Sequence, residues 1–229
     1  TNLTAKNQPG AIAVMAIAEA GGLLHAPDMY MDKIIVGPRA KGAIDIDKTV
    51  EENLKNVAKA MGKEVSDMTV CLLDRERHEH IKQACKALGA KVKLITDGDV
   101  SPALTVAMDT GAIDMILGIG GAPEGVLAAA AVKCLGGDMQ GRLVPEDDEQ
   151  IRRMKAMGHE DVNQVFGLND LVSTDDVMFI ATGVTTGDVL RGIEQTDSHV
   201  KTHTVVLRNV TKTIRFIEAM YKKPHEINA

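Results

Sequence analysis

Two arginines, three carboxylates and a cluster of glycines are the residues whose types and spacing could carry out chemistry in this chain. Arg75 and Arg77 lie two apart in Asp74-Arg75-Glu76-Arg77-His78, directly after an apolar run. Guanidinium groups suit planar, bidentate recognition of phosphate, with Asp74 able to hold one of them. A solvated, self-paired charge run accounts for the same residues. Asp97 and Asp99 flank Gly98, which suits hydrogen bonding to hydroxyls or a hard cation, and equally an Asx turn with a helix cap. Glu124 interrupts an otherwise apolar stretch. As a ligand of Mg2+ or Mn2+ it would bring an ion that holds a phosphate oxygen; as a first-turn acid it would be stabilised by the helix dipole. Gly118-Ile119-Gly120-Gly121-Ala122-Pro123 invites a dinucleotide site, with Asp138 as the ribose acid. That pattern fails because Pro123 replaces its third glycine, and an acid at the helix start repels a pyrophosphate. His78 and His80 are two apart rather than four, which favours surface histidines over a zinc site.

The elements that must position these groups follow from periodicity. Ile113 to Leu117 predicts a buried strand, Gly118, Gly120 and Gly121 a turn, and Pro123 the first residues of a helix. Val126 to Val132 is apolar on every side, so that helix is expected to be buried all round. Met68–Leu73 and Val92–Ile95 predict two more strands, each followed by a helix. The three β-α units start near residues 68, 91 and 113, about 22 residues apart, as a strand plus a helix requires. Right-handed crossovers then make a parallel sheet whose carboxyl ends share one rim, so the three candidate segments converge there. Asp47 is expected to cap a helix carrying Val50, Leu54, Val57 and Met61 and stopped by Gly62. Upstream, Ala11–Ala20, Gly21-Gly22 and Leu23-Leu24 predict a hairpin, with a further strand over Met31–Val36. A charged helix around Asp147–Met157 and strands over Val177–Ala181 and Thr202–Val210 follow, and Thr211–Tyr221 fits strand or helix.

Composition narrows the function classes. The 229 residues carry a formal charge of −6 and lack the basic patch of a nucleic-acid binder. No Trp, three Phe and two Tyr leave little for base stacking. Cys71, Cys85 and Cys134 have no metal spacing and fit small buried hydrophobes in a reducing, cytosolic setting. No apolar run reaches membrane-spanning length, so no membrane partner is expected. The chain opens on Thr1-Asn2-Leu3 without Met, as expected of an excised or incomplete chain.

An ordered set of segments resembles the class II (bacterial-type) fructose-1,6-bisphosphatases of the lithium-sensitive sugar phosphatase superfamily, from end to end. The segments are Pro9–Ala16 (P-G-A-I-A-V-M-A), Ala26–Met31 (A-P-D-M-Y-M), D-R-E-R-H at 74–78, D-G-D at 97–99, G-I-G-G-A-P-E-G-V at 118–126, G-G-D-M-Q-G-R-L at 136–143 and T-G-V-T-T-G-D at 182–188. The resemblance implies a layered α-β-α-β-α sandwich, with residues 1–42 as the remainder of an N-terminal metal and substrate domain and 43–229 as a C-terminal α/β domain. It implies metal-assisted removal of the 1-phosphate of fructose 1,6-bisphosphate, with Mn2+ or Mg2+, possible use of sedoheptulose 1,7-bisphosphate, and a homo-oligomer, dimer or tetramer. Thr1 corresponds to the threonine that positions the attacking water and touches substrate. Tyr30, Arg75, Glu76, Arg77, Asp97, Gly98, Asp99 and Gly121 fall on substrate-binding positions and Glu124 on a metal-ligand position. The family's other metal ligands precede that threonine, so little turnover is expected from the 229 residues alone. A non-catalytic sugar-phosphate-binding or regulatory module is the alternative.

Overall fold

The computed structural model describes residues 2–223; Thr1 and the tail from Pro224 lie outside them. A short helix α1 (Asn2–Ala5) leads into β1 (Ile12–Ala18), and β2 (Tyr30–Val36) follows. Next come α2 (Val50–Met61), β3 (Thr69–Leu73), α3 (Glu79–Ala87), β4 (Lys91–Ile95), α4 (Val100–Ala107), β5 (Met115–Gly121) and α5 (Ala122–Leu135). The remainder is β6 (Asp138–Val144), α6 (Asp148–Ala156), β7 (Val165–Gly167), α7 (Leu168–Leu171), β8 (Val177–Gly183), β9 (Glu194–Gln195), β10 (His199–Arg208) and β11 (Thr213–Lys222).

Six strands form one sheet in the order β4-β3-β5-β2-β6-β7, with β3, β4 and β5 parallel as the β-α spacing predicts. β2 runs antiparallel between β5 and β6. A second, antiparallel sheet runs β1-β8-β10-β11, with β9 on β10. α5 lies between the two sheets, and Ala128 to Val132 are all buried. One side of its cluster meets Met31, Ile35 and Met139 of the first sheet, and another meets Phe179, Val205 and Leu207 of the second. A helix with an apolar face only on one side could not fill that layer. Leu54, Val57, Ile81 and Cys85 of α2 and α3 cover the opposite face of the six-stranded sheet, against Ile34, Val70 and Leu117. The described residues thus stack as helices, sheet, helices, sheet, a layered α/β sandwich; the far side of the second sheet exposes Met15 and Ile17.

Two local expectations are corrected, and one left open is resolved. The hairpin over Ala11–Leu24 does not form: β1 pairs with β8, while Leu23 bridges Val172. The Gly21-Gly22 turn, closed by Gly22 N–H to Glu19 O at 2.9 Å, redirects the chain instead of folding it back on itself. The cap of α2 is Thr49 rather than Asp47. Thr49 Oγ1 accepts the Glu52 N–H at 3.2 Å and Glu52 Oε2 accepts the Thr49 N–H at 2.9 Å, a reciprocal capping box. Asp47 instead pairs with Arg142. Thr211–Tyr221 resolves as a strand, β11, paired along its whole length with β10. Gly62 ends α2 in the left-handed region at φ 65° as expected.

Candidate functional site

Leu73, Ile95 and Gly121 end β3, β4 and β5 on one rim of the six-stranded sheet, and the three candidate segments follow there. The Asp74 N–H bonds Ile95 O at 2.8 Å, tying the exits of β3 and β4 together. Arg75 spans the same gap, donating from Nη1 to Asp74 O and from Nη2 to Thr96 O, each at 2.8 Å. Arg77 donates to Ile119 O at 2.9 Å and lies over the Tyr30 ring at 4.7 Å. Tyr30 is directly opposite Gly121 in the β2–β5 register. The Asp74 carboxylate does not hold either arginine, as the sequence allowed; it accepts from Lys82 at 2.8 Å. Among the described residues neither guanidinium forms an ion pair. Two cations anchored by neutral carbonyls keep their full charge for an anion. Glu76, between them, is exposed.

On the other flank of the rim, Asp97, Gly98, Asp99, Gly120, Gly121 and Glu124 help wall a cleft of about 480 Å³. Asp97 accepts from Asn2 Nδ2 at 2.9 Å and from the Gly98 N–H at 3.0 Å, and Gly98 takes φ +77° beside Leu3. Asp99 begins α4 without a capping hydrogen bond; its carboxylate pairs with the Lys33 ammonium, which is 3% exposed. Lys33 also donates to Gly121 O at 3.1 Å. A lysine so buried persists only with such partners. Alternation along β2, with Met31 and Ile35 buried on the α5 side, was the signal that could have placed Lys33 there.

The glycines lie within β5, opposite β2, and not in a turn beyond it. Each makes room for a side chain arriving from elsewhere. A Cβ on Gly120 would come within 2.9 Å of Lys33 Nζ, and one on Gly121 within 2.9 Å of the Glu124 carboxyl carbon. Glu124, in the first turn of α5, therefore folds back over Gly121. It is exposed on the cleft, without an ion-pair or hydrogen-bond partner among the described residues. Its free oxygens and position fit one ligand of a hard divalent cation. No group of three or more His, Cys, Asp and Glu among the described residues forms a complete metal set.

Other motifs have structural duties. Asp138 sits at the opposite end of the sheet from the rim, paired in register with Val36, and accepts the Gly42 N–H at 2.8 Å. It cannot serve as a ribose acid for Gly118–Pro123. In T-G-V-T-T-G-D, Thr185 Oγ1 accepts the Ala11 N–H at 2.9 Å and bonds Gln8 O at 2.6 Å, seating the segment before β1. His78, expected at the surface, is 1% exposed; His80 is exposed. All three cysteines are buried and free. Burial pushes the Cys71 thiol up to about 12 and those of Cys85 and Cys134 to about 11.

Comparison with known proteins gives a single family. Residues 1–221 match the family described as bacterial fructose-1,6-bisphosphatase, glpX-encoded. A D-fructose 1,6-bisphosphatase class 2/sedoheptulose 1,7-bisphosphatase of Synechococcus sp. (strain JA-2-3B'a(2-13)) is 43% identical over 97% of this chain and 68% of its own length. The fructose-1,6-bisphosphatase class 2 of Haemophilus influenzae is 42% identical over 96% of this chain and 70% of its own. The fructose-1,6-bisphosphatase 1 class 2 of Escherichia coli (strain K12) is 42% identical over 96% of this chain and 69% of its own.

Proposed function

Because the chain belongs to the bacterial, glpX-encoded fructose-1,6-bisphosphatase family, we propose that its rim is the substrate side of a phosphoric monoester hydrolase acting on fructose 1,6-bisphosphate. A water oxygen forms a new bond to the 1-phosphorus, the bond from that phosphorus to the sugar oxygen breaks, and the sugar oxygen takes up a proton. The products are fructose 6-phosphate and inorganic phosphate, the conversion used in gluconeogenesis.

The observation that carries this assignment is the pair Arg75 and Arg77, two guanidinium groups fixed by carbonyls on one rim and without an ion-pair partner among the described residues. They would hold phosphate by charge-assisted hydrogen bonds, with Tyr30 beneath Arg77 and Glu76 between them. Asp97, Gly98 and Asp99 would receive sugar hydroxyls, and Gly121 would let the sugar phosphate approach the backbone. Lys33 keeps Asp99 and the Gly121 carbonyl in place. Thr1, outside the described residues, would orient the water. The family implies a divalent cation, and Mn2+ or Mg2+ suits the oxygen donor Glu124, which would be one of its ligands. Bound there, such an ion polarises the phosphoryl group and lowers the pKa of water. A guanidinium pair would hold phosphate equally well without turnover, so a non-catalytic sugar-phosphate module is the competing account.

The same proposal extends to sedoheptulose 1,7-bisphosphate, on the name of the Synechococcus relative. It also includes a homo-oligomer, dimer or tetramer, in the cytoplasm, where three buried thiols stay reduced. No helix of the described residues is long and apolar enough to cross a membrane. Binding of fructose 1,6-bisphosphate by calorimetry, beside phosphate release with Mn2+ or Mg2+, tests the assignment. Phosphate release that Arg77→Ala abolishes supports it. Because little turnover is expected from the 229 residues alone, release is measured on the chain extended to its relatives' length; binding without any release there favours the non-catalytic module, and neither binding nor release overturns both.

A further inference from the structure

Ile119 occupies an unusual place in the six-stranded sheet. On one side β5 pairs with β2, where Ile119 stands opposite Asp32. On the other side β3 pairs with β5 only at Val70–Met115 and Cys71–Ile116. The paired ladder stops there and β3 itself ends at Leu73, short of Ile119, yet the main-chain groups of Ile119 are not left open. Its carbonyl accepts Arg77 Nη2 at 2.9 Å, and its N–H donates to His78 Nε2 at 2.8 Å. Two consecutive side chains of the β3–α3 connection thus replace the missing strand partner.

The hydrogen bonds fix the chemical state of His78. A peptide N–H can only donate, so Nε2 is the unprotonated nitrogen; Nδ1 then carries the proton and donates to Leu73 O at 2.8 Å. The ring is neutral, in the Nδ1–H tautomer, and bridges the last residue of β3 to the glycine stretch of β5. Gly118 takes φ +120°, and a Cβ there would stand 2.9 Å from Nε2 and 3.0 Å from Cε1, so the imidazole occupies the space a side chain would need. Burial, assisted by repulsion from Arg77 and His80, lowers the His78 pKa below the ordinary histidine value, against the Leu73 hydrogen bond and Asp32.

We propose that His78 is a positioning residue: its neutral ring clamps the loop bearing Arg75 and Arg77 to the strand bearing Gly120 and Gly121, setting the distance between the phosphate-holding and sugar-holding flanks. This rests on the assignment of Arg75 and Arg77 to substrate phosphate. It differs from a general packing role because the clamp is directional. It needs an acceptor toward Ile119 and a donor toward Leu73, which no apolar side chain supplies. Losing it frees Arg77 from its registration against Ile119 while leaving every charged group of the rim intact.

The test compares His78→Ala, His78→Gln and Arg77→Ala with the parent chain, reading the affinity for fructose 1,6-bisphosphate by calorimetry and, where phosphate is released, KM and kcat separately. The thermal midpoint is recorded for each. His78→Ala is expected to weaken sugar bisphosphate binding by about ten- to a hundredfold, the scale of one displaced charge-assisted contact. His78→Gln, whose amide oxygen can still accept from Ile119, is expected to recover part of that loss. Imidazole 15N NMR of the unmutated chain is expected to show a neutral Nδ1–H tautomer for His78, resisting protonation below the ordinary histidine value of 6.5. If Arg77→Ala leaves affinity unchanged, the phosphate assignment itself has failed. If Arg77→Ala weakens binding but a folded His78→Ala does not, the clamp is wrong while the assignment stands. An Nε2–H tautomer, or titration like a free histidine, also overturns the clamp and requires no variant to fold.

Discussion

Gly121→Ala should separate function from stability at the rim. Gly121 has φ −61° and ψ 138°, a conformation alanine adopts without strain. The added methyl would lie 2.9 Å from the Glu124 carboxyl carbon, whereas carbon atoms rest about 3.5–4.0 Å apart. Glu124 Oε2 lies closer still and would overlap the methyl outright, so the carboxylate must retreat by well over about 1 Å. It can do so cheaply, since it is the exposed end of a flexible side chain with no partner among the described residues to lose. Replacing glycine also removes unfolded-state freedom worth about 0.4–1 kcal/mol, so the variant should be as stable as the parent or slightly more so. A ligand displaced on the order of 1 Å can cost about 100-fold in rate, and weaker binding of Mn2+ should accompany it. In the chain extended to its relatives' length, Mn2+ titration by electron paramagnetic resonance reads the ion directly, and phosphate release at several Mn2+ concentrations reads the consequence. Glu124→Ala supplies the control, and the double variant should be no worse than Glu124→Ala alone, because both changes act on one carboxylate. Wild-type Mn2+ affinity and turnover in a folded Gly121→Ala chain would refute the reasoning, as would additive losses in the double variant.

Further outcomes follow from buried groups. Lys33→Met should lower unfolding stability by about 3–5 kcal/mol in urea titrations, because it strands the Asp99 carboxylate and removes a donor from Gly121 O; Asp99→Asn in the same chain should return part of it. The depressed His78 pKa means the unfolded chain binds a proton there that the native chain resists. Its contribution to stability is therefore complete above the unfolded pKa, near 6.5, and is lost as pH falls from there through the folded value. The Asp32 pKa is raised, chiefly by burial, and acts in the opposite sense, opposing folding as pH rises above its unfolded value of 3.8 through the folded one. Asp32→Asn should accordingly raise the thermal midpoint at neutral pH and leave it nearly unchanged in acid. Cys71, Cys85 and Cys134, buried and with raised pKa values, should resist alkylation at pH 8 in the native chain and react together on unfolding.

What the sequence disclosed and withheld divides by the range of the interactions. The three β-α units, the rim they share and the all-round burial of α5 were legible because each depends on apolar spacing within about twenty residues. The Thr49–Glu52 box was legible too, since T-x-x-E is a local signal, but Asp47 drew attention from it. Pairing of β1 with β8 joins residues more than 150 apart, and no local pattern announces it. The glycines of β5 show why the site itself was harder. Their number suggested a phosphate-cradling turn, because glycine is usually asked to bend the chain. Here Gly118, Gly120 and Gly121 stay in a strand, and their missing side chains admit His78, the Asp99–Lys33 pair and Glu124. His78 and the Asp99–Lys33 pair come from elements distant in sequence, so the requirement at Gly118 and Gly120 exists only once the sheet has assembled; Glu124 reaches Gly121 from the next helical turn. It follows that alanine at these positions should act unequally. At Gly118 the φ of +120° and the fixed imidazole both oppose a methyl group, so Gly118→Ala should destabilise the fold, while at Gly121 the obstacle is one movable carboxylate. Equal losses of stability at the two positions would overturn this reasoning, since Gly121 has neither the positive φ nor a fixed neighbour.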